Sequence, residues 1–333
     1  MSEQSSGWGG GLWAAADLVT PMAIRVAATL RLADHIAAGS RTAGALAEVV
    51  GADADSLGRV MGHLVTAGVL ARAEDRSFDL TALGEGLRDD DPNGVRAWLD
   101  LEGAVGRADL CFVELLHTVR TAEPAFTRRF GTTFWEDLSA DPARAASFDT
   151  LMGARLVADA PAVAAAYPWG ALGHVVDVGG GDATLLTALL RAHSDLRGTV
   201  LDLAGPIARA QKALTTAGLD DRADTHAGTF FDPLPTGAGG YLLSGILHDW
   251  DDDAAHRILR RCADAAADTG KVLVVDHIGG AFDTEGDLRM LCYVRGRERT
   301  LGQLGGLAES VGLVVGSVTP AGSRSVVEFR AME

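Results

Sequence analysis

From His174 to the C-terminus the chain repeats one unit, a short run of β-branched and aliphatic residues followed by a stretch with helical periodicity. The clear runs are HVVDV (174–178), TVLDL (199–203), GYLLSG (240–245) and KVLVVD (271–276), with a weaker one, DTHAG, at 224–228. Strands that alternate with helices bury their apolar faces best as a parallel sheet covered by helices on both sides. The final runs, GLVVGSVTP and SVVEFRAM, flank residues 321–325 with no helix between them and predict a terminal antiparallel hairpin. Sheets of this type hold ligands at the carboxyl ends of their strands, so the functional residues are sought there.

The N-terminal third follows another rule. Apolar residues recur at threes and fours over residues 12–38 (Leu18, Met22, Val26, Leu30, Ala33, Ile36), which predicts a helix. Thr42 is placed to cap a second helix running to Val50 and stopped by Gly51. Asp55 and Ser56 open a third, Leu57 to Ala67, closed by Gly68. Two short β-type runs in GVLARAEDRSFDLT then form a hairpin. Helix, helix, helix, hairpin outlines a winged helix, and a helical middle over residues 94–166 follows. That middle concentrates large apolar groups (Trp98, Phe112, Phe130, Phe134, Trp135, Phe148, Met152), suited to core packing or to walling a flat organic ligand. The expected organisation is therefore a winged-helix-like domain at 1–93 and an α/β, Rossmann-like domain at 94–333, whose segment 94–167 is the helical pocket.

Charge narrows the partners. Lys plus Arg number 29 against 45 Asp plus Glu, a net charge of −16. Phosphate backbones and anionic lipid repel such a chain, and the third helix offers a major groove only Arg59 and His63. Neither nucleic acid nor a membrane is expected as a partner. The three cysteines, Cys111, Cys262 and Cys292, form no C-x-x-C pair and predict neither a disulfide framework nor a zinc site. With no leader-like N-terminus and no long apolar run, a cytoplasmic protein is expected.

The first strand ends in Asp177-Val178-Gly179-Gly180-Gly181-Asp182, where glycines let the main chain turn sharply against a ligand. Asp202 closes the next strand, where its carboxylate can accept hydrogen bonds from ribose hydroxyls. The dinucleotide pattern G-x-G-x-x-G fails at its last position, Thr184. The acidic residue before the turn suits the α-ammonium of S-adenosylmethionine instead. Leu247-His248-Asp249-Trp250 follows the strand GYLLSG, and His248 there is the natural general base. Asp276 and Glu298 are carboxylates that can fix its tautomer. The acidic run 251–253 is read as favouring a helix N-terminus and not as a magnesium site, so no metal is expected.

These residues, with ADLVTPMAIRVAATLRLADHIAAG, GTTFWEDL, FDTLMG, HVVDVGGG, GTFFDPLP, LLSGILHDWDDD, ILRRC, DLRML and GRERT, resemble the S-adenosylmethionine-dependent O-methyltransferases of bacterial secondary metabolism over nearly the whole chain. That family is related to the plant caffeic-acid type, and the similarity is strongest to the naphthoic-acid O-methyltransferases of enediyne pathways of the neocarzinostatin type. The resemblance implies a class I methyltransferase domain and a winged-helix-like domain that joins two subunits as a homodimer. It implies His248 as base with Asp276 and Glu298 as flanking acids. It places cofactor contacts at Asp177, Gly179, Gly180, Asp202, Leu203, Gly228, Thr229, Phe230 and Ser244. Trp135, Phe148, Met152, Met290 and Tyr293 fall at acceptor-pocket positions. The chain departs from the family pattern at Ala183 (usually glycine), Thr229 (often aspartate), Ser244 (lysine in plant relatives) and Asp276 (usually glutamate). If the acceptor is an aromatic acid, its carboxylate needs a cation, for which Arg25, Arg295 and Arg297 are candidates. Two other readings stay open from the residues alone, a nicotinamide-dependent oxidoreductase and a non-catalytic regulator that uses the winged helix on DNA.

Overall fold

In the computed structural model, which describes residues 11–278 and 284–332, the periodicity over residues 12–38 forms three helices and not one: Leu12–Ala16, Val19–Thr29 and Leu32–Ala37. The first break is chemical. The carboxylate of Asp17 accepts the backbone N–H groups of Val19 (3.0 Å) and Thr20 (3.2 Å), which starts a new helix. The second break is Arg31, whose φ of 51° is left-handed. Thr42 caps the helix Ala43–Val50 as expected, accepting from Ala45 N–H at 3.3 Å. The third helix starts earlier than expected, Ala54–Thr66, because Asp53 and not Asp55 accepts the Ser56 N–H at 2.8 Å. Strands β1 (Leu70–Arg72) and β2 (Phe78–Leu80) pair antiparallel as the wing. Leu32, Leu46, Met61 and Leu64 are the buried centre of this unit, which extends to Leu110.

The second unit begins at Cys111 and is built on a seven-stranded sheet. Its strands are β3 (His174–Val178), β4 (Arg197–Asp202), β5 (Ala223–Ala227), β6 (Gly240–Ser244), β7 (Lys271–Asp276), β8 (Leu313–Ala321) and β9 (Arg324–Ala331), in the order β5-β4-β3-β6-β7-β9-β8. Strands β3 to β7 are parallel, and the β8–β9 hairpin joins β7 antiparallel. The chain steps outward from β3 through β4 to β5, then returns to place β6 on the other side of β3. The crevice at the carboxyl ends of β3 and β6 is therefore the switch point where such sheets bind ligands.

Each face of the sheet carries its own core. Val175, Leu242, Val275 and Val326 pack on one face with Val163, Leu186 and Leu189. Val176, Leu243, Val274 and Val327 pack on the other with Ile258, Leu259 and Leu304. Side chains alternate along a strand, so Asp177, Ser244 and Arg324 share the first face at its carboxyl edge, while Asp276 lies on the second. The long helix Pro142–Ala166, capped by Asp141, lies along that edge on the first face. A Cβ on its Gly153 would come within 3.2 Å of Asp182 beside β3, and its Asp159 accepts from Ser323 and Arg324 at the β8–β9 turn.

Candidate active site

The turn after β3 is held open by glycine at each step. Gly179 (φ 78°) and Gly181 (φ 59°) are left-handed. A Cβ on Gly179 would meet Ile246 at 2.4 Å, and one on Gly180 would meet the Asp177 carboxylate at 2.6 Å. Ala183 is fully buried at φ 69°, which costs a residue with a Cβ roughly 1–2 kcal/mol. The turn then enters the helix Thr184–Ala192, whose first N–H is taken by Asp182 at 3.1 Å. Asp202, at the end of β4, accepts the Gly181 N–H at 2.9 Å, which ties the second strand's acid to the glycine turn.

Asp177 is 1% exposed, and neither of its carboxylate oxygens has a hydrogen-bond partner in the protein. Burial, reinforced by Asp202 and Asp182, pushes its pKa up to about 7. The Ser244 hydroxyl, two residues beyond the β6 position that pairs with Asp177, is likewise buried and unpartnered. Orphaned buried polar groups are rare in native proteins, and two on one face of adjacent strands mark a place for a polar ligand. Leu203 is half exposed beside Asp202, and Phe230 reaches to 3.5 Å of the Gly179 Cβ position. Thr229 spends its hydroxyl on the Phe231 N–H at 3.3 Å, within the turn that starts at Gly228.

On the other side of the crevice, the 3-10 turn Leu247–Asp249 carries His248. Its Nδ1 lies 3.0 Å from Glu298 Oε1 and 3.9 Å from Asp276 Oδ1, so Glu298 makes the hydrogen bond and Asp276 acts through space. The carboxylate of Asp249 lies 3.6 Å from Nε2. Burial disfavours the imidazolium, but the charges of Asp276, Asp249 and Glu298 outweigh it and push the His248 pKa up to about 10. Burial likewise pushes Asp249 up to about 6, against the pull of His248. Donor atoms of His248, Asp276 and Glu298 lie within 4.8 Å of one another, and within this group Nδ1 is hydrogen-bonded to Glu298.

The turn is fixed from behind by the strap 296–299. The Arg297 N–H donates to the His248 carbonyl at 2.8 Å, and a Cβ on Gly296 would strike that carbonyl at 2.1 Å. Arg299 is buried and donates to the carbonyls of Leu247 (2.5 Å) and Trp250 (2.7 Å) and to Asp252 (2.8 Å). Its fork thus holds the backbone on both sides of His248. Asp251 caps the helix Asp252–Ala266, as the acidic run suggests, while Asp252 also belongs to this clamp.

The aromatic residues converge as a wall. Phe134 stacks on Tyr293 (5.6 Å between centroids) and packs edge-on against Phe148 and Trp135. Trp135 stacks on Trp250 at 6.3 Å, and Trp250 in turn meets Phe230 and Phe231. The chain of rings therefore leads from the pocket segment to the glycine turn. Met152 precedes Gly153 on the long helix, and the carbonyl of Met290 accepts the Gly296 N–H at 3.1 Å. The three arginine candidates already face carboxylates: Arg25 faces Asp109 at 2.5 Å, Arg295 faces Asp251 and Glu123 at 3.9 Å, and Arg297 faces Asp252 at 3.5 Å.

Comparison with known proteins agrees with this geometry. The family described as O-methyltransferase domain matches residues 112–314, and the O-methyltransferase dimerisation domain matches residues 13–88. The 2,7-dihydroxy-5-methyl-1-naphthoate 7-O-methyltransferase of Streptomyces carzinostaticus is 56% identical over 97% of this chain and 98% of its own length. The crystal structure of the O-methyltransferase NcsB1 from neocarzinostatin biosynthesis, in complex with S-adenosylmethionine and 2-hydroxy-5-methyl naphthoic acid, superposes with a TM-score of 0.94, at 56% identity, over 97% of this chain and 99% of that one. Aclacinomycin 10-hydroxylase RdmB of Streptomyces purpurascens is 46% identical over 95% of this chain and 88% of its own length. Among the described residues no helix is long and apolar enough to cross a membrane.

The clamp predicts that Arg299→Ala, which strands the Leu247 and Trp250 carbonyls, lowers stability by about 2–3 kcal/mol. Urea unfolding checks this, and an unchanged midpoint contradicts it.

Proposed function

Since this chain belongs to the O-methyltransferase family, we propose that it transfers the methyl group of S-adenosylmethionine to a hydroxyl of a naphthoic- or benzoic-acid-type aromatic intermediate in natural-product biosynthesis, with His248 as general base. The enzyme uses S-adenosylmethionine, and the orphaned carboxylate of Asp177 and hydroxyl of Ser244 beside the glycine turn fit its amino-acid end. The dimerisation-domain match supports a homodimer, which we place in the cytoplasm. A family that includes a protein named as a hydroxylase does not fix the reaction by itself. One observation carries the reading: the hydrogen bond between His248 Nδ1 and Glu298.

With its Nδ1 proton donated to Glu298 and its pKa pushed up to about 10, His248 is protonated on both nitrogens at neutral pH. It must lose the Nε2 proton before that nitrogen presents a lone pair to the acceptor hydroxyl. The bound cofactor supplies an already activated methyl on a sulfonium. What remains for the protein is to align a hydroxyl oxygen and accept its proton as the new bond forms. A free phenol has a pKa of about 10, and His248 is pushed up to about 10 by its acids, so proton transfer between them is close to balanced. The imidazolium that results rests among three carboxylates. Trp135, Phe148, Phe134 and Tyr293 provide the flat apolar wall on which an aromatic ring is held. An oxidoreductase needs a dinucleotide cradle, which the turn lacks at Thr184, and the −16 charge opposes a DNA-binding role.

His248→Ala is expected to lower methyl transfer by about 10²–10⁴ with S-adenosylhomocysteine binding retained. Near-normal turnover of that variant removes His248 from the base role. A second expectation concerns pH. Asp177 has its pKa raised to about 7, so its carboxylate, the form that attracts an ammonium, is lost as pH falls below that value. S-adenosylhomocysteine affinity, measured by calorimetry, should therefore weaken toward tenfold per unit at pH values below about 7. Asp177→Asn should flatten the profile, and an equally steep profile in that variant contradicts the role.

A further inference from the structure

Asp177 provides for the cofactor's ammonium, but the α-carboxylate beside it also needs a partner. The groups around the glycine turn are mostly acids, Asp177, Asp182 and Asp202 among them, and they repel a carboxylate brought there alone. Ser244 carries no charge, so a cation at this point must come from elsewhere in the chain. Arg209 is engaged with Asp149. Arg324, the first residue of β9, lies on the same sheet face as Asp177 and Ser244, with its side chain 11% exposed. Among the described residues its one hydrogen bond runs from Nε to Asp159 at 3.1 Å, which leaves the outer edge of the guanidinium uncommitted.

Gly245 shows where that edge lies. At φ 63° it turns the chain immediately after Ser244, and a Cβ placed on it would sit 3.6 Å from Arg324 Nη1 and 3.8 Å from His248 Nε2. The guanidinium and the base thus border one gap, over a residue whose missing side chain keeps it open. The buried Ser244 hydroxyl is the neighbouring donor with no partner.

We infer that Arg324, together with Ser244, binds the α-carboxylate of S-adenosylmethionine, so that the amino-acid end of the cofactor is read as a zwitterion across one face of the sheet. Asp177 on β3 takes its ammonium, and Arg324, reaching in from β9, takes its carboxylate. Asp159 holds the arginine by Nε, which orients the outer edge for a bidentate carboxylate contact. The hairpin at the end of the fold thus supplies the positive charge that β6 lacks at this edge. The inference rests on the cofactor reading above. An acceptor carboxylate is the competing occupant, because His248 Nε2 borders the same gap at Gly245, and binding of the cofactor fragments separates the two.

Calorimetry with two ligands separates the cases. S-adenosylhomocysteine carries the aminocarboxylate; 5′-methylthioadenosine keeps the nucleoside and thioether without it. If wild-type protein binds neither ligand, the cofactor reading itself fails. Given wild-type binding, Arg324→Gln is expected to weaken S-adenosylhomocysteine by about 10–100-fold and leave 5′-methylthioadenosine unchanged, with Arg324→Lys recovering part of the loss. Unchanged S-adenosylhomocysteine affinity overturns the inference. If the KM for the aromatic acceptor rises in that case, the arginine belongs to the acceptor. Equal weakening of both ligands also overturns it, by reducing Arg324 to a structural tie between the hairpin and the long helix.

Discussion

The hydrogen bond between His248 Nδ1 and Glu298 is the contact on which the proposed base chemistry rests. An imidazole has two nitrogens, and in its neutral form a carboxylate on one places the lone pair on the other. Three buried or half-buried acids around one ring then favour its protonated form, which is the form a base must reach at the end of proton transfer. Everything nearby serves to keep that ring in place. The Arg299 fork holds the carbonyls on either side of it, the Arg297 N–H holds its own carbonyl, and Gly296 lets the strap come close enough to do so. Glu298 and Arg299 are neighbours in sequence, so one short strap delivers both the acid that fixes the tautomer and the cation that fixes the backbone.

The sheet explains how His248 and the residues at the glycine turn meet without competing for space. Side chains alternate across a strand, so residues one apart at the carboxyl edge serve opposite faces. Asp177 and Ser244 emerge under the long helix Pro142–Ala166, while Asp276 emerges on the other face, toward His248. The switch point between β3 and β6 gives both sets one opening. The rings from Phe134 to Trp250 then run from the helical segment to the glycine turn, so the apolar wall and the polar crevice are continuous.

Local chemistry made much of this legible in the sequence. The glycine run, the acid ending the second strand and the histidine after GYLLSG each sit within a few residues of a strand end, where backbone geometry dictates their placement. All seven strands of the sheet lie where alternating apolar runs predict them. Misses occurred where a side chain overrode periodicity or a contact was long-range. Asp17 caps a helix inside an unbroken apolar pattern, and Asp53 reaches the Ser56 N–H before Asp55 can serve as the cap. The sequence did not distinguish Asp276 from Glu298 as the partner of the base. The 3.0 Å and 3.9 Å separations do. Arg299 had a signal, its place beside Glu298 in GRERT, but Arg324 had none: it is brought to Gly245 only by pairing of β9 with β7.

The ring charge of His248 can be observed directly. Nitrogen-15 NMR of the ligand-free protein, with the resonance assigned through His248→Gln, follows its titration. The carboxylate cluster predicts that His248 stays protonated well above the ordinary histidine value of 6.5, toward about 10, and that Glu298→Gln brings its pKa down. Titration near 6.5 in both proteins would show that the acids do not govern the base and would contradict the mechanism built on them.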